Sequence, residues 1–507
     1  MINSAVRSPS SGKPTASFRL LLLAATATGL ASCHPVGPDY KRPETAAPEV
    51  FRGQPEAQAT SLAQTDWWDI YNDPVLQELI REGLTNNYDT RIAVARVEQA
   101  RQLAAQARSL YYPTVNYQGA IAGGRNDFAG TPILNNGEQG GTGFGIIGAA
   151  WELDVWGRIR RLNEQALAEY LATDEAKNAV MITVLADIAT AYFQLLELEL
   201  ERDIAIRTKQ SFAESLKLFT QRLKGGAGSK LETSRAEASL ASVAARVPDL
   251  ERQMTLKENE ISVLLGRIPG PIRRGKPLVE QSTPPEVPAG IPSELLERRP
   301  DLRQAEQQLR AANAAIGVAQ AEFFPKIGLT TYFGKVSNSL GDLVNPVSTA
   351  WSAGGNLVGP IFTGGQLEAN LAEKKAAWDA ARLGYQQTAI IALREVADGL
   401  TDREQLVLVR AEQERSVKAF SEAVDVSMKR YTAGKASYFE VLEAQQQLFP
   451  AENTLAQVRF SQLATIVRLY KALGGGWTPP EDRAETAPTP ALSETASADD
   501  RSVRADN

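Results

Sequence analysis

Reactive side chains are scarce, and their spacing narrows the chemistry. The 507 residues hold one cysteine, Cys33, and one histidine, His34. One cysteine cannot close a disulfide within the chain. One histidine cannot supply a zinc set of Cys and His, or any site needing two imidazoles. A Ser-His-Asp relay would have to use His34. Glu440 and Glu443 are three apart and share a helix face. Such a pair can act as acid and base, but no cleft-forming α/β pattern surrounds it. Lys224-Gly-Gly-Ala-Gly-Ser229-Lys resembles a phosphate loop but lacks the G-x-x-x-x-G-K-[ST] spacing and follows a helix. The formal net charge of −6 gives no bulk attraction for nucleic acid. The sequence reads as non-enzymatic, with no catalytic residue, metal site or cofactor of its own.

The amino terminus reads as an address. Arg7, Lys13 and Arg19 form a basic region, followed by the short apolar run Leu20 to Ala31. That run is below the ~20 residues a transmembrane helix needs. Leu30-Ala31-Ser32-Cys33 resembles the lipoprotein signal of bacteria. The resemblance implies cleavage before Cys33 and lipid on its thiol. The residue after the cysteine is His34 rather than Asp, which by the same resemblance implies export to the outer membrane. Each buried CH₂ of the acyl chains adds ~0.8 kcal/mol of membrane affinity. His34, tethered beside the lipid, is then a poor catalyst.

The elements that must position everything else come in two copies. Asp89-x-Arg91 and Tyr111-Tyr112-Pro113 return 212 residues later as Asp301-x-Arg303 and Phe323-Phe324-Pro325. Arg222 to Ser229 and Leu265-Gly266 return 208 later as Arg430 to Ser437 and Leu473-Gly474. Four residues are therefore lost between Pro325 and about Phe362, as a loop permits. Each copy reads as a helix of 22 residues (89–110, 301–322), two short strands, a helix of 65 (160–224, 368–432), a turn and a helix of 37 (229–265, 437–473). Phe212, Leu216, Phe219 and Leu223 give the long helix heptad-like spacing. A helix of that length reaches roughly 100 Å, so the two shorter helices of a copy match it if stacked end to end. Pro248 and Pro450 are expected to kink the helices that contain them. No segment after the leader has 18 consecutive apolar residues, so no helix is expected to span a bilayer.

The reading divides the chain into a leader (1–32), an extended segment (33–66), a segment 67–88, a first copy 89–266 with its hairpin at 114–155 and tip at 222–229, a linker 267–300, a second copy 301–474 with its hairpin at 326–362 and tip at 430–437, and a disordered tail (475–507). In the strands, Val115, Tyr117 and Ile121 alternate with Asn116, Gln118 and small residues. Ile147, Ala149, Trp151 and Leu153 alternate with Gly148, Ala150 and Glu152, and copy two gives Ile327, Leu329, Phe333, Trp351, Ala353, Leu357 and Ile361. Stretches of about 10 residues with this alternation suit a membrane β-strand, although a soluble hairpin remains the alternative. A sheet in lipid must close. Four strands are too few for known barrels, which begin near 8 strands, so a dimer or a trimer is required.

Three motifs carry a resemblance that decides between those two. They are Val36-Gly-Pro-Asp-Tyr-Lys-Arg-Pro43, Asp66-Trp-Trp-Asp-Ile-Tyr-Asn-Asp-Pro74-x-Leu76 and Glu297-Arg-Arg-Pro-Asp-Leu-Arg303-x-Ala-Glu306. In this order, over residues 33–477, the chain resembles outer-membrane efflux factors of the TolC/OprM type, in their NodT-like lipoprotein branch. The resemblance implies a membrane α/β-barrel: a homotrimer with a 12-stranded outer-membrane β-barrel continued by a long periplasmic α-helical barrel. It implies a periplasmic adaptor and an inner-membrane pump of the RND type as partners, and export of drugs or other small solutes. A protein-secretion duct of type I and a non-channel coiled-coil lipoprotein are the alternatives.

The same resemblance places the site residues. The adaptor is expected at the tips Arg222, Gly226 and Ser229, and Arg430, Gly434 and Ser437. Phe439, Glu440 and Glu443 are expected to line the pore gate, where rings of carboxylate favour cations. The first copy keeps Glu232 opposite Glu440 but has Arg235 opposite Glu443. A latch is expected between Tyr431 and Glu232. A second family latch uses Arg where this chain has Ala436, beside Lys435.

Overall fold

The computed structural model describes residues 35–44, 48–52, 72–125, 139–282, 289–290, 292–337 and 339–475. The leader, Cys33 and the tail beyond Gly475 lie outside the described residues. The helices and strands are α1 (Pro74–Asn86), α2 (Tyr88–Ser109), β1 (Thr114–Arg125), β2 (Gln139–Leu153), α3 (Arg158–Lys224), α4 (Lys230–Leu264), α5 (Pro292–Arg298), α6 (Pro300–Ala321), β3 (Lys326–Ser337), β4 (Thr349–Val358), α7 (Gln366–Thr432) and α8 (Tyr438–Ala472). Helices of 22, 67 and 35 residues thus occur twice in the same order.

The long helices begin two residues earlier than the spacing predicts, because glycines in the left-handed region set the start. Gly157 (φ 83°) precedes α3 and Gly365 (φ 88°) precedes α7. The Asp154 carboxylate then accepts from the N–H groups of Ile159 and Arg160 at 2.8 and 2.9 Å, satisfying donors at the first turn. Both α4 and α8 run continuously through Pro248 and Pro450.

The end-to-end stacking is present. Asn87, capping α2, donates from Nδ2 to Leu264 O at the end of α4 at 2.9 Å. In the second half the buried Arg299 donates to Ala472 O at the end of α8 at 2.9 Å, and is held by Asp301 at 2.7 Å and Glu395 at 2.8 Å. The Glu297 to Glu306 motif is therefore a helix-junction clamp.

The main core gathers where these junctions meet. Tyr192, Phe193 and Leu195 of α3 pack with Leu250 of α4, Leu302 of α6, Tyr385 and Val396 of α7, and Leu469 of α8. α3 contains a stretch long and apolar enough to cross a membrane, but 61% of it is buried in the protein. Its apolarity serves this core.

The four strands form one antiparallel sheet in the order β1-β2-β3-β4, so the two hairpins join through β2 and β3. The register pairs Tyr117 with Ile147, Ile147 with Phe333, and Phe333 with Trp351. Trp151 and Leu329 are partners on the same face, as are Ile327 and Leu357. Directly paired residues share a face. One face therefore presents apolar residues on all four strands, most of the large ones exposed, with Thr331, Thr349 and Lys335 on the same face toward the β3–β4 loop. The other face carries Asn116, Gln118, Glu152, Thr330, Ser352 and Asn356, with apolar residues such as Phe144 and Val336 toward its far end. Ile361, expected in the alternation, lies beyond the end of β4 at Val358.

Residues 35–44 contain no helix or strand, as expected for the extended segment, yet they are tightly docked. Arg161, 4% exposed, donates to Gly37 O at 3.1 Å and pairs with Asp39 at 2.8 Å. Asn313 donates to Pro38 O at 2.8 Å, and Arg42 reaches Glu306 at 2.7 Å. Gly37 (φ 103°) lies directly against Gly317, where neither residue has room for a Cβ.

Candidate functional site

The site lies at the helix ends farthest from the sheet along the chain, where α3 turns into α4 and α7 into α8. Each long helix closes with the same pair of bonds. Ala227 N donates to Arg222 O and Lys435 N to Arg430 O, both at 2.9 Å. Gly226 N donates to Leu223 O at 3.1 Å and Gly434 N to Tyr431 O at 3.0 Å. This is the Schellman arrangement, which needs a left-handed residue at its centre. Gly226 (φ 75°) and Gly434 (φ 71°) supply it. Ser229 and Ser437 then cap the returning helices in boxes completed by Glu232 and Glu440. Ser229 N donates to Glu232 Oε2 at 2.9 Å, and Ser437 N to Glu440 Oε1 at 3.4 Å. The glycine, serine and first glutamate of each tip are thus accounted for by the turn itself.

The two turns are tied by a satellite core of Phe212, Phe219, Ala236, Val243, Tyr431, Tyr438, Val441 and Leu442. Its centre is aromatic. Phe219 lies 3.8 Å from Tyr438 and 5.6 Å from Tyr431, ring centre to ring centre. The heptad-like spacing gives Phe212 and Phe219 from sequence. The same spacing does not reach Tyr438, whose position one residue past the cap is its one signal in the sequence. Its buried Oη finds no hydrogen-bond partner among the described residues. Burial, with Tyr431 and Glu232 nearby, pushes the Tyr438 hydroxyl up to about 12.

The tips differ in how their arginines are used. Arg222 crosses to the other hairpin and lies over the Tyr431 ring at 4.8 Å. Arg430 stays within its own hairpin, 3.9 Å from Glu440. Burial raises the Tyr431 hydroxyl, the Arg222 charge opposes that shift, and the Glu232 charge adds to it. Tyr431, Arg222 and Glu232 therefore form one electrostatic group, in which the guanidinium is stacked on the ring and the carboxylate is engaged in its cap. Phe439, Glu440 and Glu443 are all exposed on α8. Leu231 and Phe439, at matching positions of the two tips, are 59% and 58% exposed. Arg235 and Glu443 are likewise exposed at matching positions, so the electrostatic inequality of the tips reaches the surface. The Lys435 side chain is exposed, and its backbone closes the turn.

Comparison with known proteins places this architecture. The family model described as outer membrane efflux protein matches residues 79–267 and again 291–475. The solvent efflux pump outer membrane protein SrpC of Pseudomonas putida is 36% identical over 452 residues, covering 87% of this chain and 95% of that protein. The cation efflux system protein CusC of Escherichia coli is 30% identical over 465 residues, covering 90% and 98%. Among solved structures, the outer-membrane channel OprN aligns with a TM-score of 0.80 at 31% identity, covering 88% of this chain and 100% of that one. The open state of the MtrE outer membrane channel of Neisseria gonorrhoeae aligns with a TM-score of 0.77 at 30% identity, covering 88% and 99%. By sequence over most of its length and by fold, this chain belongs to the outer membrane efflux protein family.

Proposed function

We propose that three copies of this chain close a 12-stranded barrel in the outer membrane, continued by the paired helices into the periplasm as a conduit for solutes. The observation that carries this reading is the sheet. Its four strands are in register, one face carries large apolar residues on every strand, and the outer strands β1 and β4 each pair on one side only. In lipid the free edges need partners, and four strands cannot close alone. Three copies supply the partners and leave no edge.

The rest follows from that geometry. A lipid on Cys33 would sit near the sheet, because Pro35 packs against Gly157 at the start of α3. The tips, at the far end of helices reaching roughly 100 Å, would meet a periplasmic adaptor, and through it an inner-membrane pump of the RND type. Phe439, Glu440 and Glu443 would form threefold rings at a constriction, with Tyr431, Glu232 and Arg222 latching each protomer shut. The Pseudomonas relative exports solvents and the Escherichia relative cations. The proposed cargo is accordingly small solutes, chosen by the pump. Native mass spectrometry of detergent-extracted protein tests the assembly. A lipid-bearing trimer is expected. A monomer in gentle detergent would overturn the closed barrel and favour the non-channel coiled-coil lipoprotein.

A further inference from the structure

The loop between β3 and β4 has the construction of a membrane-seated element. Residues 339–348 form two short 3₁₀ turns, Leu340–Asp342 and Pro346–Ser348. The loop leans on the sheet over Gly143, where Leu340 and Leu343 make the contacts. Gly143 is in register with Ser337, and by alternation lies on the same face as Ile147 and Trp151. So the loop folds onto the apolar face instead of rising away from the strand ends. Glycines at 119, 143 and 145 leave room for it, in a cleft also lined by Ile121, Phe144, Lys335, Leu343 and Val344.

Several of its polar groups bond within the loop or to the sheet, while Asp342 and Asn345 stay exposed. Asn345 N donates to Asp342 O at 2.9 Å, Ser348 N to Asn345 O at 3.1 Å, and Lys335 Nζ also to Asn345 O at 2.6 Å. Ser348 Oγ donates to Asp342 O, and Asn345 Nδ2 to Asp342 Oδ1 at 2.8 Å. Its apolar groups turn outward: Leu340 is 44% exposed, Val344 85% and Val347 95%. Outward valines beside carbonyls bonded within the loop suit contact with hydrocarbon better than with water. A loop meeting hydrocarbon gains from both, since each carbonyl bonded internally avoids a cost of desolvation.

We propose that this loop is a lipid-contacting collar at the outer rim of the sheet, with Leu340, Val344 and Val347 in the acyl region of the outer leaflet. The exposed Asp342 carboxylate sets its depth, since that charge has to stay at the headgroup level. The collar lies beyond the apolar residues of the sheet on the same face, past Lys335, which it engages through Asn345 O, and the inference rests on reading that face as lipid-facing.

Spin-label accessibility tests the collar and that reading separately. Val347→Cys, Phe333→Cys and Ser352→Cys are made singly in the full chain, labelled with a nitroxide and reconstituted in phosphatidylcholine vesicles. The parent, whose only cysteine is Cys33, sets the background. Oxygen should reach the labels at 347 and 333 more readily than a nickel chelate does, with the balance reversed at 352. A label at 347 that favours the chelate, while 333 favours oxygen, overturns the collar and leaves the barrel standing. Chelate preference at 333 as well overturns the barrel reading. Protection of 347 from both reagents would place a neighbouring chain on the loop, which also overturns the proposal. Val344→Cys provides a second probe if the label at 347 disturbs the loop.

Discussion

The Arg222 guanidinium carbon lies 4.8 Å from the centre of the Tyr431 ring, although the two residues belong to opposite halves of the chain. This contact and the aromatic cluster beneath it tie the two helix turns of one protomer together. If opening separates the turns, the contact must be broken. Arg222→Ala should favour the open state by about 0.5–1 kcal/mol, roughly a two- to fivefold change in the open-to-closed ratio. Tyr431→Phe retains the ring face but loses the hydroxyl, so it should open the channel less. Single-channel recording in planar bilayers checks the order. Equal conductance in parent and Arg222→Ala would exclude a latch at this contact.

Cation selectivity should depend on Glu443 more cleanly than on Glu440. Glu440 is engaged in the helix cap and lies 3.9 Å from Arg430, so removing its side chain also disturbs the turn. Glu443→Gln leaves the cap intact. It should lower the cation-to-anion permeability ratio measured by reversal potentials, and Glu440→Gln with Glu443→Gln should lower it further. A double variant with parental selectivity would remove the carboxylate ring from the gate.

Phe333→Arg should block membrane assembly, whereas Ser352→Arg, on the opposite face of the sheet, should be tolerated. Arginine facing lipid near the bilayer midplane costs about 2–4 kcal/mol. Three such substitutions per trimer compound the cost. Heat-modifiable trimer on gels of outer-membrane fractions is the measurement.

Gly37→Ala should loosen the amino-terminal segment from α6. Its φ of 103° is rarely adopted by L side chains, and a Cβ there would meet the Gly317 backbone. Released, the segment would leave the buried Arg161 without Asp39 and Gly37 O as partners. Unfolding in detergent should shift down by about 1–3 kcal/mol, measured by thermal melts. An unchanged melt would mean that the docking contributes little.

Stability should fall as pH rises from the ordinary glutamate range toward neutrality, through Glu197. This carboxyl is buried on α3 one turn from Glu201, and burial with that neighbouring charge raises it to about 7. The folded chain therefore holds the proton more tightly than the unfolded chain. The stabilising contribution is complete below the ordinary glutamate range and is lost progressively up to about pH 7, on the order of 3 kcal/mol across that window. Glu197→Gln should flatten the dependence and raise the melting temperature at pH 8. Parallel pH profiles in the two proteins would assign the effect elsewhere.

How much was legible differs by residue. Gly226, Ser229, Gly434 and Ser437 are local: a left-handed residue and a cap are needed wherever two helices meet in this turn, so their spacing alone gives them. Phe439, Glu440 and Glu443 are placed on α8 by the same cap. Tyr438 is not local: an aromatic next to a cap reads as surface until another hairpin covers it. The docking of residues 35–44 was equally hidden. Its partners Arg161, Asn313 and Gly317 are far along the chain, and Pro and Gly there read only as extended backbone.

The sequence by itself determined the elements. Hydrophobic period, glycine position and capping residues act within a few residues, and they set the lengths of the helices, the turns that end them, the alternation of the strands and the duplication of the whole. Tertiary structure decided which faces and ends meet. It set the register that aligns Tyr117, Ile147, Phe333 and Trp351 on one face, the joining of β2 to β3, the choice of Arg222 over its counterpart Arg430 to cross onto Tyr431, and the fold of the β3–β4 loop onto the sheet. Each of these joins residues distant in sequence, through packing and shared burial, and no local preference encodes which distant partner a side chain will find.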